Sequence, residues 1–402
     1  MRIGILTQYY RPEIGAPQTR LSELARWFKA RGHEVIVLTA MPNYPEGRIY
    51  KGYGGVYRRE EIDGIQVIRA FIYPTKSVAH FKRLFNYFSF VISSILVGLP
   101  ALPKLDYLLS ESPPLFLGIS GYLLSRLKGA KWIFNVSDLW PESAVRLGIV
   151  REGWALKMAE ALESFCYRKA HLVTCQSVEI LENIRGRFPN SSCYHLSNGV
   201  DTDLFGPEHR SPEVRQELFE GRPFVAVYAG LHGIAQGLGQ LIDAAEQMRE
   251  NPEFFLMFFG EGPEKSSLIQ SAQSKNLKNI RFMDPLPHQR MPTLMASTDL
   301  ALIPLKERLP GAVPSKLYEA MGSGVPVVLI ANGEAASIVR QSQAGIVVNP
   351  GDVSDLVRSL RELIGDKNKL GEMGKNGRRA AVAGFNRKTI ANAFVDFLEN
   401  GA

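Results

Sequence analysis

The sequence predicts an α/β chain of two doubly wound, Rossmann-like parallel-sheet domains. Three observations carry this. Short apolar runs alternate with turn residues and helical stretches, the rhythm of βαβ units. That rhythm breaks between residues 188 and 210 and then starts afresh. The chain has 402 residues, too many for one hydrophobic core and enough for two domains of ordinary size.

The elements follow in order. Arg2–Thr7 reads as a first buried strand, Tyr10–Pro17 as a Pro/Gly loop, and Thr19–Ala30 as a helix that Gly32 stops. Glu34–Thr39 and Gly64–Ala70 are further strands. Asp106–Ser110 and Lys131–Val136 are short apolar strands with a helix around Leu115–Leu127 between them. Trp154–Lys169 has helical periodicity, and Leu172–Cys175 is again a strand. Pro, Asn, Gly and Asp then accumulate around Ser197–Asp201, which is turn chemistry and marks a linker. The second domain opens with strand Phe224–Tyr228, a Gly-rich loop to Gly239, and helix Gln240–Arg249. Strand Phe254–Phe259, the turn Gly260-Glu261-Gly262 and helix Lys265–Lys275 come next. Ile280–Met283, Leu300–Pro304 and Val325–Leu329 complete the strands, with Leu317–Met321 on a helix between the last two. Thr389–Leu398 is a closing helix. The expected domains are 1–190 and 200–386.

Hydrophobic residues make up 45% and charged residues 22% of the chain, the profile of a globular enzyme rather than a disordered or fibrous chain. Three cysteines without paired short spacing argue against a disulfide framework or a zinc site and fit a reducing cytoplasm. Ile3–Thr7 is too short for a signal-peptide core. The longest apolar stretch, Phe88–Leu102, falls short of the roughly 20 residues that span a bilayer, so no crossing is expected. Net charge is +7, and residues 1–200 hold 25 Lys+Arg against 16 Asp+Glu. A basic half suits an anionic partner such as lipid headgroups or a phosphate, and equally a plain solvated surface. No motif supports nucleic-acid binding.

In open α/β sheets, ligands bind at the carboxyl ends of strands, where helix N-termini and free amides favour a diphosphate. Gly15 and Ala16 in the first loop are small enough for a phosphate to approach. The loop Gly230-Leu231-His232-Gly233-Ile234-Ala235-Gln236-Gly237 follows a strand and precedes a helix, the context of a phosphate-binding turn. Its glycine spacing, and the lack of an acidic residue ending a strand about 20 positions on, disfavour NAD. His232 is read as a phosphate donor or a mere loop residue. In Val313-Pro314-Ser315-Lys316-Leu317-Tyr318-Glu319, Ser315 is expected to cap a helix. Lys316 in a first turn opposes the helix dipole unless an anion shares the site. Lys316 and Glu319 share one face, so either one meets phosphate and the other ribose, or they form a surface ion pair. Asp201-Thr202-Asp203 has the spacing of a metal-binding pair but sits in the linker and reads as turn chemistry. No nucleophile elbow is present. Around His80–Leu102, Lys82 and Arg83 precede Phe85, Tyr87, Phe88 and Phe90, which suits either a membrane-interface segment or a packed helix.

Several stretches together resemble glycosyltransferase family 4. They are residues 313–328, Gly230–Gly237, Gly260-Glu261-Gly262, Gly345–Asp352, and Arg31-Gly32-His33-Glu34-Val35 with Val37-Leu38-Thr39. Pro42-Asn43-Tyr44-Pro45 and Asp138-Leu139-Trp140-Pro141-Glu142-Ser143 look like the subgroup that builds bacterial surface polysaccharides, which includes transferases of N-acetylfucosamine-type sugars. The resemblance spans essentially the whole chain. It implies a GT-B fold with two domains facing across a cleft, a retaining reaction, no cofactor and no metal. It implies a closing helix, about 387–402, that returns to the first domain. It makes Glu319 a ribose ligand and places the donor at Gly15, Ala16, Gly230, His232, Gly233, Gly260, Glu261, Gly262, Ser315, Lys316, Leu317 and Glu319. The family's first glutamate is Gly311 here, its loop Arg and Lys are replaced near Leu231, His232 and Gln236, and its first-domain His is Ser137.

The chemistry implied is transfer from a nucleotide-diphosphate sugar, a UDP-sugar, to a lipid-linked saccharide. Lys316 and the helix N-termini would neutralise the departing diphosphate while the anomeric carbon becomes oxocarbenium-like. Asp138 is the candidate for orienting acceptor or sugar, or else a helix N-cap before Leu139–Ala144. Lys82, Arg83, Phe85 and Phe88 are the candidate membrane and acceptor contacts, at the cytoplasmic face of the plasma membrane. A nucleotide-sugar epimerase and a degenerate binding subunit are the rival readings.

Overall fold

The computed structural model describes residues 1–77, 80–146, 148 and 153–401, and divides into two compact units, Met1–Ser197 with Lys388–Ala402, and Asn198–Arg387. The first unit runs β1 (Arg2–Thr7), α1 (Ala16–Ala30), β2 (Glu34–Ala40), β3 (Tyr57–Ile62), β4 (Ile65–Ala70), α2 (His80–Ala101), β5 (Tyr107–Ser112), α3 (Leu117–Lys128), β6 (Lys131–Val136), α4 (Glu142–Arg146), α5 (Trp154–Lys169), β7 (Leu172–Cys175), α6 (Val178–Arg187) and β8 (Cys193–His195). Its eight strands are ordered β3-β4-β2-β1-β5-β6-β7-β8. All pairings are parallel except β3 with β4. The direction of winding reverses between β1 and β5, so the loops after those two strands flank the switch point where ligands bind in such sheets.

β3 is a strand that the periodicity did not announce. Its text, Tyr-Arg-Arg-Glu-Glu-Ile, is mostly charged, and its residues alternate between exposed and half-buried as befits an antiparallel edge. α1 begins at Ala16, earlier than expected, because Pro17 is tolerated in a first helical turn where no amide is required. α2 corrects the reading of the apolar segment. The helix runs unbroken through Leu84, Phe85 and Tyr87, and over Phe81–Ala101 it is 21 residues long with a mean hydropathy of 1.7, long and apolar enough to cross a membrane. Only 33% of its most apolar window is buried in the unit. The buried face is specific. Phe90 packs in the core with Leu38 and Leu124. Ser94 Oγ donates to Ser120 Oγ at 3.0 Å, and a Cβ on Gly98 would meet Leu38 at 2.9 Å.

The second unit runs α7 (Pro212–Phe219), β9 (Ala226–Ala229), α8 (Gly239–Gln247), β10 (Leu256–Phe259), α9 (Lys265–Ser274), β11 (Ile280–Met283), α10 (Met291–Ser297), β12 (Leu300–Pro304), α11 (Ser315–Gly322), β13 (Val327–Ile330), α12 (Glu334–Ser342), β14 (Gly345–Val348), α13 (Val353–Gly365) and α14 (Lys367–Gly384). Its sheet, β11-β10-β9-β12-β13-β14, is parallel throughout and reverses between β9 and β12. The inner strands β9, β10 and β13 are fully buried apolar text, as expected of a sheet covered on both faces, whereas the edge strands β11 and β14 are mostly half-buried. The closing helix α15 (Arg387–Glu399) lies, from Lys388 on, in the first unit. There Phe394 packs against Phe28 and Tyr194, and Arg31 pairs with Asp396 and Glu399. All three cysteines are free.

Candidate functional site

In the second unit the loops after β9, β10 and β12 meet at the carboxyl edge of the sheet. The β9 loop is locked to the β10 loop backbone to backbone. His232 N donates to Glu261 O, and Glu264 N donates to His232 O, each at 2.9 Å. This closeness is why Gly262 is glycine: with φ at +158°, its added Cβ would sit 2.4 Å from His232 O. Gly260 presses in the same way on Gly230 O. These glycines therefore let loop pack on loop. His232 is fully buried among Tyr228, Phe258 and Phe282, and neither ring nitrogen has a hydrogen-bond partner among the described residues. Burial, helped by the nearby Lys265 cation and opposed by Glu261, pushes its pKa down to about 4. Gly230 is half-buried, Gly233 is buried and Glu261 is exposed. Glu261 is tied to Lys265 at 3.2 Å.

The loop after β12 ends at α11. Pro314 is the N-cap residue and no side chain caps the helix, so Ser315 is its first residue and not its cap. Pro314 is held extended at φ −61° and ψ 131°, which moves the helix start one residue on. Leu317 is fully buried in the core, and its amide donates to Pro314 O at 3.0 Å. The amides of Ser315 and Lys316 lie ahead of the helix ladder, with no backbone partner among the described residues, where an anion is favoured. Lys316 Nζ meets Glu319 Oε2 at 2.9 Å, with the lysine a third exposed and the glutamate mostly covered. The ion-pair alternative is thus the arrangement present.

At the first unit's switch point, a buried polar network joins four elements. Glu111 of β5 accepts from Arg20 of α1 (2.5 Å), from Ser137 (2.6 Å) and from Asn135 of β6 (2.7 Å). Arg20 also donates to Ser137 Oγ at 2.9 Å, and Thr174 of β7 to Asn135 Oδ1 at 2.7 Å. Arg20 and Glu111 are almost wholly covered. Beside Ser137, Asp138 accepts from Ser143 Oγ, and burial raises its carboxyl pKa against the hydrogen bonds from Ser143 and Leu139. Asp138 does not cap a helix over Leu139–Ala144, because α4 starts only at Glu142, after Pro141. In the loop after β1, Glu13 takes the amides of Asn43 (2.7 Å) and Tyr44 (2.8 Å), tying that loop to the one after β2. Burial pushes its pKa up to about 7, with those amides pulling the other way. Gly15 precedes α1 in extended backbone and Ala16 is its first residue.

The chain matches the glycosyl transferase 4-like domain over residues 15–229 and the domain of glycosyl transferases group 1 over residues 210–380. It belongs to this glycosyltransferase family. It is 27% identical over 384 residues to the putative colanic acid biosynthesis glycosyl transferase WcaI of Escherichia coli, covering 90% of this chain and 92% of that one. The Anabaena protein HepE, solved in complex with UDP and glucose, superposes with a TM-score of 0.75 at 20% identity, covering 100% of both chains. Sucrose-phosphate synthase from Thermosynechococcus elongatus gives a TM-score of 0.77 at 18% identity, covering 99% of this chain and 98% of that one. The fold is GT-B, built of two parallel-sheet Rossmann-like units.

For this glycosyltransferase, the structure places Gly230, Gly260, Glu261 and Gly262 on the carboxyl-edge loops of the second unit, with Gly233 buried behind them, and Ser315, Lys316 and Glu319 on α11, which follows the β12 loop. It takes His232 and Leu317 away from any ligand, because both side chains are fully buried. Asp201 Oδ1 accepts the amides of Asp203 and Leu204, the turn expected of the linker. Lys82, Arg83, Phe85 and Phe88 are exposed on α2. Sequence reasoning missed Arg20, Glu111 and Glu13. A signal existed for Glu111: a carboxylate inside the apolar strand Tyr107–Ser112 must be paired if that strand is buried.

Proposed function

We propose that this glycosyltransferase transfers a sugar, with retention, from a UDP-sugar to a lipid-linked saccharide in surface-polysaccharide synthesis, at the cytoplasmic face of the plasma membrane and without a metal or other cofactor. The sugar proposed is an N-acetylated amino sugar of the N-acetylfucosamine type. Family membership and the full-length similarity to a colanic acid biosynthesis transferase support the saccharide reading. The observation that carries the donor reading is the gathering of the β9, β10 and β12 loops at the second unit's switch point, beside the open first-turn amides of α11. Glu319 is the ribose acceptor, and Lys316, released from it when donor binds, faces the diphosphate. As the diphosphate departs, these amides and Lys316 take up its charge. In the first unit, Asp138 orients the acceptor hydroxyl, and a leaving phosphate oxygen takes the proton.

The exposed face of α2 supports the membrane reading. Phe81, Leu84, Phe85, Phe88, Ile92, Leu96 and Leu99 form one stripe at three- and four-residue spacing. Lys82 and Arg83 stand at its start, and Lys128 at its end, where its ammonium donates to Leu99 O at 2.5 Å. An apolar stripe with basic ends fits an interfacial helix on anionic lipid. Two experiments test the proposal. UDP and GDP release from a panel of nucleotide sugars, with and without a membrane-lipid extract as acceptor, is expected to require both a UDP-sugar and the extract. Release unchanged by the extract would reject transfer, and a GDP-sugar preference would reject the UDP assignment. Flotation with phosphatidylglycerol vesicles is expected to carry the wild type and to fail for Phe85→Asp with Leu96→Asp. Equal flotation of both would reject membrane docking through α2.

A further inference from the structure

We propose that Lys306, on the loop after β12, supplies the cation that the glycine-rich loop after β9 lacks, and binds the donor's diphosphate. The inference rests on the nucleotide-diphosphate reading above. Residues 230–237 contain no lysine or arginine, and their histidine is sealed in an aromatic slot. A dianionic diphosphate at this switch point still requires a counter-charge, because amide dipoles and a helix N-terminus supply only partial charges.

The other basic side chains around these loops are committed. Lys265 is held by Glu261 at 3.2 Å and Asp284 at 2.9 Å. Lys316 is held by Glu319 until donor releases it, and it sits on α11 rather than against the glycine-rich loop. Lys306 differs: it is exposed, and no hydrogen bond or ion pair engages its ammonium among the described residues.

Its backbone is nonetheless fixed against the glycine-rich loop. Lys306 N donates to Ala235 O at 2.8 Å. Gly237, at φ +57°, lies so close that an added Cβ would come within 2.7 Å of the Lys306 Cα. Gln240, in the first turn of α8, braces the junction: its Nε2 donates to Gly237 O (2.9 Å) and Leu305 O (3.3 Å), and its Oε1 accepts from Gly351 N (3.1 Å). The strands bearing the two loops, β9 and β12, are neighbours at the point where the winding reverses. An exposed ammonium on a braced backbone, beside a glycine-rich loop that lacks a cation, is a site for phosphate oxygens.

Calorimetric titration of the full chain with UDP, GDP, uridine and guanosine tests this. Wild type is expected to bind a nucleoside diphosphate. Lys306→Ala should weaken that binding about ten- to hundredfold, the worth of one charge-assisted contact. Binding of the matching nucleoside and the melting temperature should not change, and Lys306→Arg should restore most of the loss. Unchanged diphosphate affinity in Lys306→Ala would overturn the assignment. So would an equal loss for nucleoside and diphosphate, which marks a structural role. If wild type binds neither UDP nor GDP, the nucleotide-donor reading itself falls and this inference falls with it.

Discussion

Acidification is expected to destabilise the second unit through His232. The imidazole has an ordinary pKa of 6.5 and is held at about 4 in the fold. The cause is burial without a hydrogen-bond partner for either nitrogen, with Lys265 adding to it and Glu261 opposing it. A base whose folded pKa is depressed contributes stability above its unfolded pKa and loses it as pH falls toward the folded one. Here the window runs from pH 6.5 down to about 4. At pH 5 the unfolded chain is nearly all protonated at this site and the folded chain is not, which costs about 2 kcal/mol. His232→Phe keeps an aromatic ring in the slot between Tyr228, Phe258 and Phe282 and removes the proton site. Urea denaturation of wild type and variant at pH 7.5 and 5.0 gives four stabilities. Groups common to both chains, Glu13 and Asp138 among them, cancel in the double difference. The variant should retain about 2 kcal/mol more than the wild type on going to pH 5. Equal losses in the two proteins would refute the claim that His232 is buried neutral and unpaired.

Three further outcomes are expected. Asp138→Ala should lower kcat at least about a hundredfold while shifting the melting temperature little, since its side chain bonds locally to Ser143; a near-normal kcat would remove it from the reaction. Glu111→Gln strands Arg20 with a buried, uncompensated charge and should cost about 3–5 kcal/mol in urea denaturation, whereas adding Arg20→Met should recover a good part of it. A double variant no more stable than the single would show that the pair is not coupled. Gly262→Ala places a methyl 2.4 Å from His232 O and should cost about 1–3 kcal/mol by the same assay; an unchanged midpoint would mean the two loops do not pack as described.

Much of the architecture was legible from local text. Lys131–Val136, Trp154–Lys169, Leu172–Cys175, Ile280–Met283 and Leu300–Pro304 form the elements that their periodicity predicts, because short apolar runs between turn residues leave a buried parallel strand few alternatives. β3 escaped notice because an edge strand needs only one face covered, and its Arg and Glu residues satisfy solvent on the other. The segment His80–Leu102 holds α2, but an apolar stretch counted from Phe88 hides the helix's full apolar length, because Leu84 and Phe85 continue the same stripe. The loop glycines and Lys316 of the candidate site were visible in the sequence, but the loop packing of the glycines was not, and Arg20 was not singled out at all. Gly262 is required by a carbonyl thirty residues away in the chain, and Arg20 is held by Glu111 across two elements. Periodicity is a property of neighbours in the chain, so sequence alone determines the strands, helices and turns whose apolar pattern is local, and leaves out an edge strand such as β3. Which polar group meets which depends on loops brought together by the sheet order, and only the tertiary structure decides that.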